Sequence, residues 1–460
     1  MTHRTRRSGA GALVGAVLGT SLLALPVGPQ LQAVVSYDGP ATAVAGVTVV
    51  GRLRTLDMAV VRGDGAALAR LARTPGVRGV ALDDSLGFTS RHGADDGNGG
   101  FLASTGLGGA AGRAGAGAGV RIAVVDTGIS DTDALDRASG RLVDAADASR
   151  PGDVRTGGTY PDGYGHGTFM ASVLAGGAVD GTRGRALGVA PGATVLNVRV
   201  AKQNGSTSLS RVLGGLDWIA SHASQVDVAS LALSHDRPNR EYGADPLTDA
   251  VEQVRDAGVT VVVAAGNERN QVGDPGFDPR VVTVGAADLD TGRVASFSGS
   301  GVVQGVAKPD VVASGVDVLG LLPTGSVLEE DASTKHLAHG LFRGSGTSQA
   351  TAVTSGLAAL FLAANPGATP TQVKASLRCA ADDLRGHRDG AGLVRATTYV
   401  CAGTDGQALD GSGDATGEVE FDANAWAANA WAANAWAANA WAANAWAASA
   451  WASDDWGGEE

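Results

Sequence analysis

Through the middle of the chain, short apolar runs alternate with longer amphipathic stretches. Residues 120–125, 194–200, 226–233, 259–264 and 281–284 are near-continuous, β-branched apolar runs of strand length. Residues 169–175, 209–222 and 246–256 carry apolar positions at helical spacing, and 351–364 is a long helix of small and apolar residues. Strands apolar on both faces and separated by helices predict a mostly parallel sheet covered on both sides, an α/β domain over residues 120–402. Upstream, residues 47–50, 58–61 and 77–82 read as strands and 66–73 as a helix that Pro75-Gly76 ends. That predicts a small α+β unit over residues 34–84, too small for a generous core of its own. Residues 85–119 are rich in Gly, Ser and Asp and read as a linker.

The two ends have different textures. His3, Arg4, Arg6 and Arg7 precede an uncharged, mostly apolar run over residues 10–25, the pattern of an export signal over residues 1–33 with its cut near Ala33. Residues 403–460 hold ten acidic side chains and no Lys or Arg, so most of the net charge of −12 sits there. Within that segment Asn-Ala-Trp-Ala-Ala recurs every five residues, and the tryptophan period runs from Trp426 to Trp456. A five-residue step gathers the rings on one face of neither a helix nor a strand. The plain reading is a low-complexity extended tail, and the sharper one a ladder of aromatic platforms for cell-wall glycans or self-association. No basic patch suits nucleic acid. In an exported chain the two cysteines, Cys379 and Cys401, invite a disulfide, with two buried thiols as the alternative.

Four segments carry candidate chemistry, and amide hydrolysis needs the parts they offer: a nucleophile, a base, an anchor for the base and donors for an oxyanion. Asp126 ends the run Arg121-Ile-Ala-Val-Val, where a sheet edge presents functional groups. His166 lies between Gly165 and Gly167 at the head of a helical run. Ser348 follows Gly344-Ser-Gly-Thr at the start of the longest helix, where backbone N–H groups favour negative charge. Asn267 follows Ala264-Ala-Gly266 at the end of a strand. Taken singly, each has a plainer reading as a turn, a cap or a structural histidine.

Their order, Asp–His–Ser, is that of the subtilisin triad. Asp126-Thr-Gly, His166-Gly-Thr and Gly346-Thr-Ser348, with Gly188-Val-Ala-Pro-Gly-Ala193 and Ala307-Lys-Pro-Asp310 in support, resemble the signatures of the subtilisin-like serine proteases, or subtilases. The resemblance implies a secreted endopeptidase acting on proteins or peptides, with Asp126, His166 and Ser348 as catalytic residues and Asn267 as oxyanion donor. It implies a substrate-binding role for Ala232, Leu233, Ser234, Ala264, Ala265 and Gly266. It also makes residues 34–84 an inhibitor-type propeptide. No cofactor is required, and calcium, which the family often binds, has no recognisable ligand loop here. The alternative is a surface-binding protein whose Trp-repeat tail is the working part, the protease domain serving self-maturation or one dedicated substrate.

Three positions depart from the family pattern. Gln349 stands where a Met is usual, Ala352 where a Pro is usual, and Ala232-Leu-Ser234 replaces Ser-Leu-Gly. A side chain at Ser234 is expected to narrow a pocket that glycine leaves open.

Overall fold

The computed structural model describes residues 30–401, apart from 40–43, 89–90, 93–100, 108–114, 183, 236–244, 304, 332–336, 338–339, 385, 387 and 399. The expected export signal therefore lies almost wholly outside the described residues, and the Trp-repeat tail wholly so.

Residues 30–84 form a four-stranded antiparallel sheet crossed by one helix. Its strands are β1 (Leu31–Tyr37), β2 (Val47–Leu53), β3 (Met58–Gly63) and β4 (Val77–Leu82), in the order β2-β3-β1-β4. The helix α1 (Gly65–Leu71) starts where the Asp64 side chain accepts from the Ala67 N–H at 2.7 Å, a normal N-cap. Strand alternation in β1 splits its side chains between two cores. Ala33, Val35 and Tyr37 pack with Leu68 and Leu71 of α1, while Val34 joins a cluster that runs into the main body. The leader cut expected near Ala33 thus falls inside a central strand, where Ala33 is fully buried and pairs with Val61 and Leu82. In the sequence this strand merges with the apolar leader, so its own alternation is hidden.

The linker expected over 85–119 contains β5 (Gly87–Phe88), β6 (Arg91–His92) and the short helix α2 (Phe101–Ser104). The main body begins with β7 (Arg121–Asp126), β8 (Leu142–Arg150), β9 (Asp153–Arg155), α3 (His166–Ala175) and β10 (Thr194–Arg199). It continues through α4 (Leu209–Ser221), β11 (Val228–Leu231), β12 (Leu233–Ser234), α5 (Pro246–Asp256), β13 (Thr260–Ala264), β14 (Val282–Asp288) and β15 (Arg293–Val294). After the hairpin β16 (Gly301–Val303) and β17 (Val306–Lys308) come β18 (Val311–Ser314), β19 (Val318–Leu321) and α6 (Val327–Glu330). The last elements are β20 (Leu341–Ser345), α7 (Thr347–Ala364) and α8 (Pro370–Cys379).

The central sheet runs β15-β14-β13-β11-β7-β10-β8-β9, with β18 also pairing β14. Only its pairings to β15 and β9 are antiparallel. It is the mostly parallel, helix-covered sheet that the apolar runs predict. One face packs on α3 and α7, the other on α4 and α5. β8 escaped the sequence reading because Leu-Val-Asp-Ala-Ala-Asp-Ala-Ser-Arg has almost no β-branched alternation. α8 also escaped it, although Thr369 and Gln372 form a capping box with Pro370 at the first turn.

The small unit docks on α4 and α5. Leu53, Leu56 and Met58 share a buried cluster with Leu213 and Leu216 of α4 and Leu247 of α5. Polar contacts fix the register: Asp217 Oδ1 accepts from the N–H groups of Thr55 and Leu56 at 2.8 and 3.1 Å. Asp83 accepts from Ser210 N and Oγ, both at 2.7 Å, which sets a carboxylate at the N-terminus of α4.

Behind the sheet, Lys308 and Lys374 both reach the buried Asp310, each with Nζ 2.8 Å from a carboxylate oxygen. Burial alone would raise the Asp310 pKa, but the two ammonium groups hold it well below the usual carboxylate range. Lys374 also donates to the carbonyls of Pro279 and Val281, tying α8 to the body, and Cys379 at the end of α8 is disulfide-bonded to Cys401.

Candidate active site

Parallel strands deliver their C-terminal ends to one edge of the sheet. Asp126 ends β7, Ala232 follows β11, and Asn267 lies three residues beyond β13. His166 opens α3 and Ser348 is the second residue of α7, two helices that pack on the same face of the sheet.

Asp126 and His166 are in contact. His166 Nδ1 lies 2.7 Å from Asp126 Oδ1, and both side chains are buried. Their approach depends on small neighbours. Gly165, with φ +112°, turns the chain into α3. A Cβ on Gly167 would lie 2.2 Å from the Gly128 carbonyl oxygen and 3.1 Å from Asp126 Cβ. Glycine at 167 is therefore what lets the two segments meet.

Ser348 lies on the same sheet edge but does not bond His166. Ser348 Oγ donates to the Ala232 carbonyl at 2.8 Å, while His166 Nε2 has no hydrogen-bond partner among the described residues. Beside it, Thr347 N and Oγ1 each donate to Asn267 Oδ1 at 3.1 Å. That holds the Asn267 carbonyl toward Thr347 and turns its amide nitrogen to the other side, with the Ser348 helix N-terminus next to it.

The cleft is occupied by the chain itself. β5 pairs antiparallel with β12, Phe88 opposite Leu233 and Gly87 opposite Ser234. β6 pairs with β20, Arg91 opposite Ser345 and His92 opposite Gly344. The Phe88 ring sits 4.9 Å from the His166 ring at a 40° tilt, and Leu86 is buried against the small unit's cluster. Of Ala232, Leu233 and Ser234, singled out in the sequence, Leu233 and Ser234 thus pair with a segment of the chain itself.

Ser234 is buried against glycines. A Cβ on Gly273 would come within 2.6 Å of Ser234 Cβ, and one on Gly266 within 3.4 Å of its Oγ. Gln349 is buried, and its Nε2 would meet a Cβ on Gly344 at 2.5 Å, so its amide lies against the strand that pairs with β6. Ala352 is fully buried in the core packing of α7. Among the described residues no group of three or more His, Cys, Asp or Glu side chains is arranged to hold a metal ion, and calcium enters no step below.

Sequence reasoning missed two features. One is the occupancy of the cleft by residues 86–88 and 91–92, whose two-residue strands are defined only by their partners. The other is Asp162, whose signal was its place four residues before His166 in Asp162-Gly-Tyr-Gly-His.

The model of the Subtilase family (Peptidase_S8) matches residues 117–400. The chain is 34% identical over 304 residues to serine protease AprX of Bacillus subtilis, covering 62% of this chain and 66% of that protein. It is 32% identical over 278 residues to a cuticle-degrading serine protease of Orbilia oligospora, covering 60% of this chain and 57% of that one. Its backbone is similar to the crystal structure of fervidolysin from Fervidobacterium pennivorans, described as related to subtilisin. That likeness has a TM-score of 0.62 at 22% identity, covering 80% of this chain and 60% of that one. The chain thus spans less than two thirds of the length of these relatives, and the matched region holds Asp126, His166, Asn267 and Ser348. By its sequence and by its fold, the chain belongs to the subtilase family.

Proposed function

We propose that this chain is a serine endopeptidase that hydrolyses protein and peptide substrates through Asp126, His166 and Ser348. The observation that carries the reading is the buried 2.7 Å contact between His166 Nδ1 and Asp126, on a sheet edge shared with Ser348 at a helix N-terminus. Asp126 fixes the tautomer in which Nε2 is a base and stabilises the imidazolium that follows. Ser348 Oγ leaves the Ala232 carbonyl, adds to the scissile carbonyl carbon, and gives its proton to Nε2. The Asn267 amide and the Ser348 N–H stabilise the oxyanion. Collapse breaks the C–N bond as Nε2 protonates the leaving amine. Water repeats the sequence on the acyl-enzyme and frees Ser348.

Residues 34–84 act in this reading as an inhibitory propeptide, continuous with a segment already seated as substrate. Pairing through main-chain groups tolerates sequence change, which suits a cleft used first by the chain's own residues. Self-cleavage between Phe88 and Arg91 is then the first turnover. Export to an oxidising compartment belongs to the same reading, supported by the Cys379–Cys401 disulfide. The regularly spaced tryptophans support a separate surface-binding role for the tail. Cell attachment measured with and without residues 403–460 tests it.

The decisive experiment is labelling with a serine-directed phosphonate and locating the adduct by mass spectrometry. Modification at Ser348 that disappears in His166→Ala supports the reading. Labelling elsewhere, or none in a self-cleaved chain, overturns it.

A further inference from the structure

We propose that Asp162 is a positioning residue for the Asp126–His166 pair, acting through Thr127 and the first turn of α3. The inference rests on the proteolytic reading above and adds a residue to its machinery. Asp162 is buried, and its carboxylate accepts five hydrogen bonds from the two segments that carry the pair. Oδ1 accepts from Thr127 Oγ1 at 2.8 Å, Gly165 N at 2.7 Å and Tyr164 N at 3.1 Å. Oδ2 accepts from Thr168 N at 2.9 Å and Thr168 Oγ1 at 2.8 Å.

Thr127 is the hinge of this arrangement. Its N–H donates to Asp126 Oδ1 at 2.7 Å, the same oxygen that meets His166. Its hydroxyl accepts from Gly167 N at 2.9 Å. A hydroxyl has one proton, and here that proton goes to Asp162, which leaves a lone pair directed at Gly167. Asp162 therefore grips the residue after Asp126, the residue before His166 and the residue two beyond it. The distance between anchor and base follows from that grip.

The chemistry explains why a carboxylate is needed. All five partners are donors, so only an acceptor-only group satisfies them. Burial pushes the Asp162 pKa upward and opposes ionisation, and the hydrogen bonds counter it. An asparagine of the same size would turn an NH2 group toward either Thr168 or Thr127, setting donor against donor.

The test compares mature, active-site-titrated enzyme carrying Asp162→Asn, Thr127→Val or Thr127→Ser. Misplacing a base by a fraction of an ångström to 1 Å costs up to about 100-fold. The expected result is a kcat per titrated site lower by about 10- to 100-fold in Asp162→Asn and Thr127→Val, with KM within about twofold. Thr127→Ser, which keeps the hydroxyl, is expected to stay near wild type. The double variant is expected to lose no more than the worse single one, because both act through one contact. If Asp162→Asn fails to fold, Thr127→Val carries the comparison. A second readout is the NMR resonance of the His166 Nδ1 proton, which is expected to shift or broaden in both variants. Unchanged kcat per titrated site and an unmoved resonance overturn the inference. If wild-type enzyme is not labelled at Ser348, the protease reading fails instead, and the resonance still decides the role of Asp162.

Discussion

Phe88 packs its ring 4.9 Å from that of His166 while pairing with Leu233, so the His166 ring is covered by the chain's own backbone and side chain. The covered His166 ring and the Ser348 hydroxyl held by the Ala232 carbonyl are what the proposed protease would present before its first turnover. In apo or inhibited sites such catalytic contacts are often loose and tighten only around substrate.

If that contact inhibits, a synthetic peptide of residues 83–88, Asp-Asp-Ser-Leu-Gly-Phe, should compete with substrate for the self-cleaved enzyme. Replacing its phenylalanine by alanine removes an aromatic pair and a large apolar group, and should weaken inhibition about tenfold or more. Equal inhibition constants for the two peptides would show that Phe88 is not seated on His166.

The docking of the small unit should depend on pH. Asp249 on α5 is covered by the small unit, and burial pushes its pKa up to about 6, with Arg78 pulling it down and Glu252, Asp245 and Asp38 adding to the rise. In the separated state an exposed aspartate titrates near the ordinary value of about 3.9. Docking therefore takes up a proton as pH falls below about 6. This contribution is full below about 4 and lost as pH rises through about 6. After self-cleavage, the small unit should dissociate faster at pH 8 than at pH 5, read by the lag before activity. Asp249→Asn should flatten that dependence.

Ser234 should restrict which side chains are accepted. Ser234→Gly removes the atoms that lie against Gly273 and Gly266. The ratio of kcat/KM for the bulkiest to the smallest side chains in a peptide series should rise about tenfold, the scale of a methylene-sized change in a pocket. An unchanged ratio would place the selective pocket elsewhere.

Asp310→Asn should be strongly destabilising. It leaves the ammonium groups of Lys308 and Lys374 buried without their counter-charge, a change that typically costs about 3–5 kcal/mol. Denaturant unfolding of the Ser348→Ala background, which avoids self-digestion, measures it. A loss under about 1 kcal/mol would mean that the lysines are neutralised or hydrated locally.

The parallel sheet was legible because its strands are buried on both faces and so carry continuous apolar runs, as in residues 120–125 and 259–264. β1, β8 and the paired residues of β5 and β6 were not. β1 follows closely on an apolar stretch of sequence, β8 is built largely from alanine and aspartate, and β5 and β6 exist only through Leu233–Ser234 and Gly344–Ser345.

The sequence by itself determined the chemistry on offer. Asp126, His166, Ser348 and Asn267 stand in short glycine-flanked motifs whose order suggests the roles proposed for them. What only the tertiary structure decided is how those groups stand to one another. His166 meets Asp126, Ser348 turns to Ala232, and the Asp162 carboxylate holds two segments together 36 positions apart along the chain, from Asp126 to Asp162. Local patterns follow from backbone geometry and side-chain polarity over a few residues. A contact across the fold depends on how the sheet edge and the helix ends converge, and no local pattern encodes that.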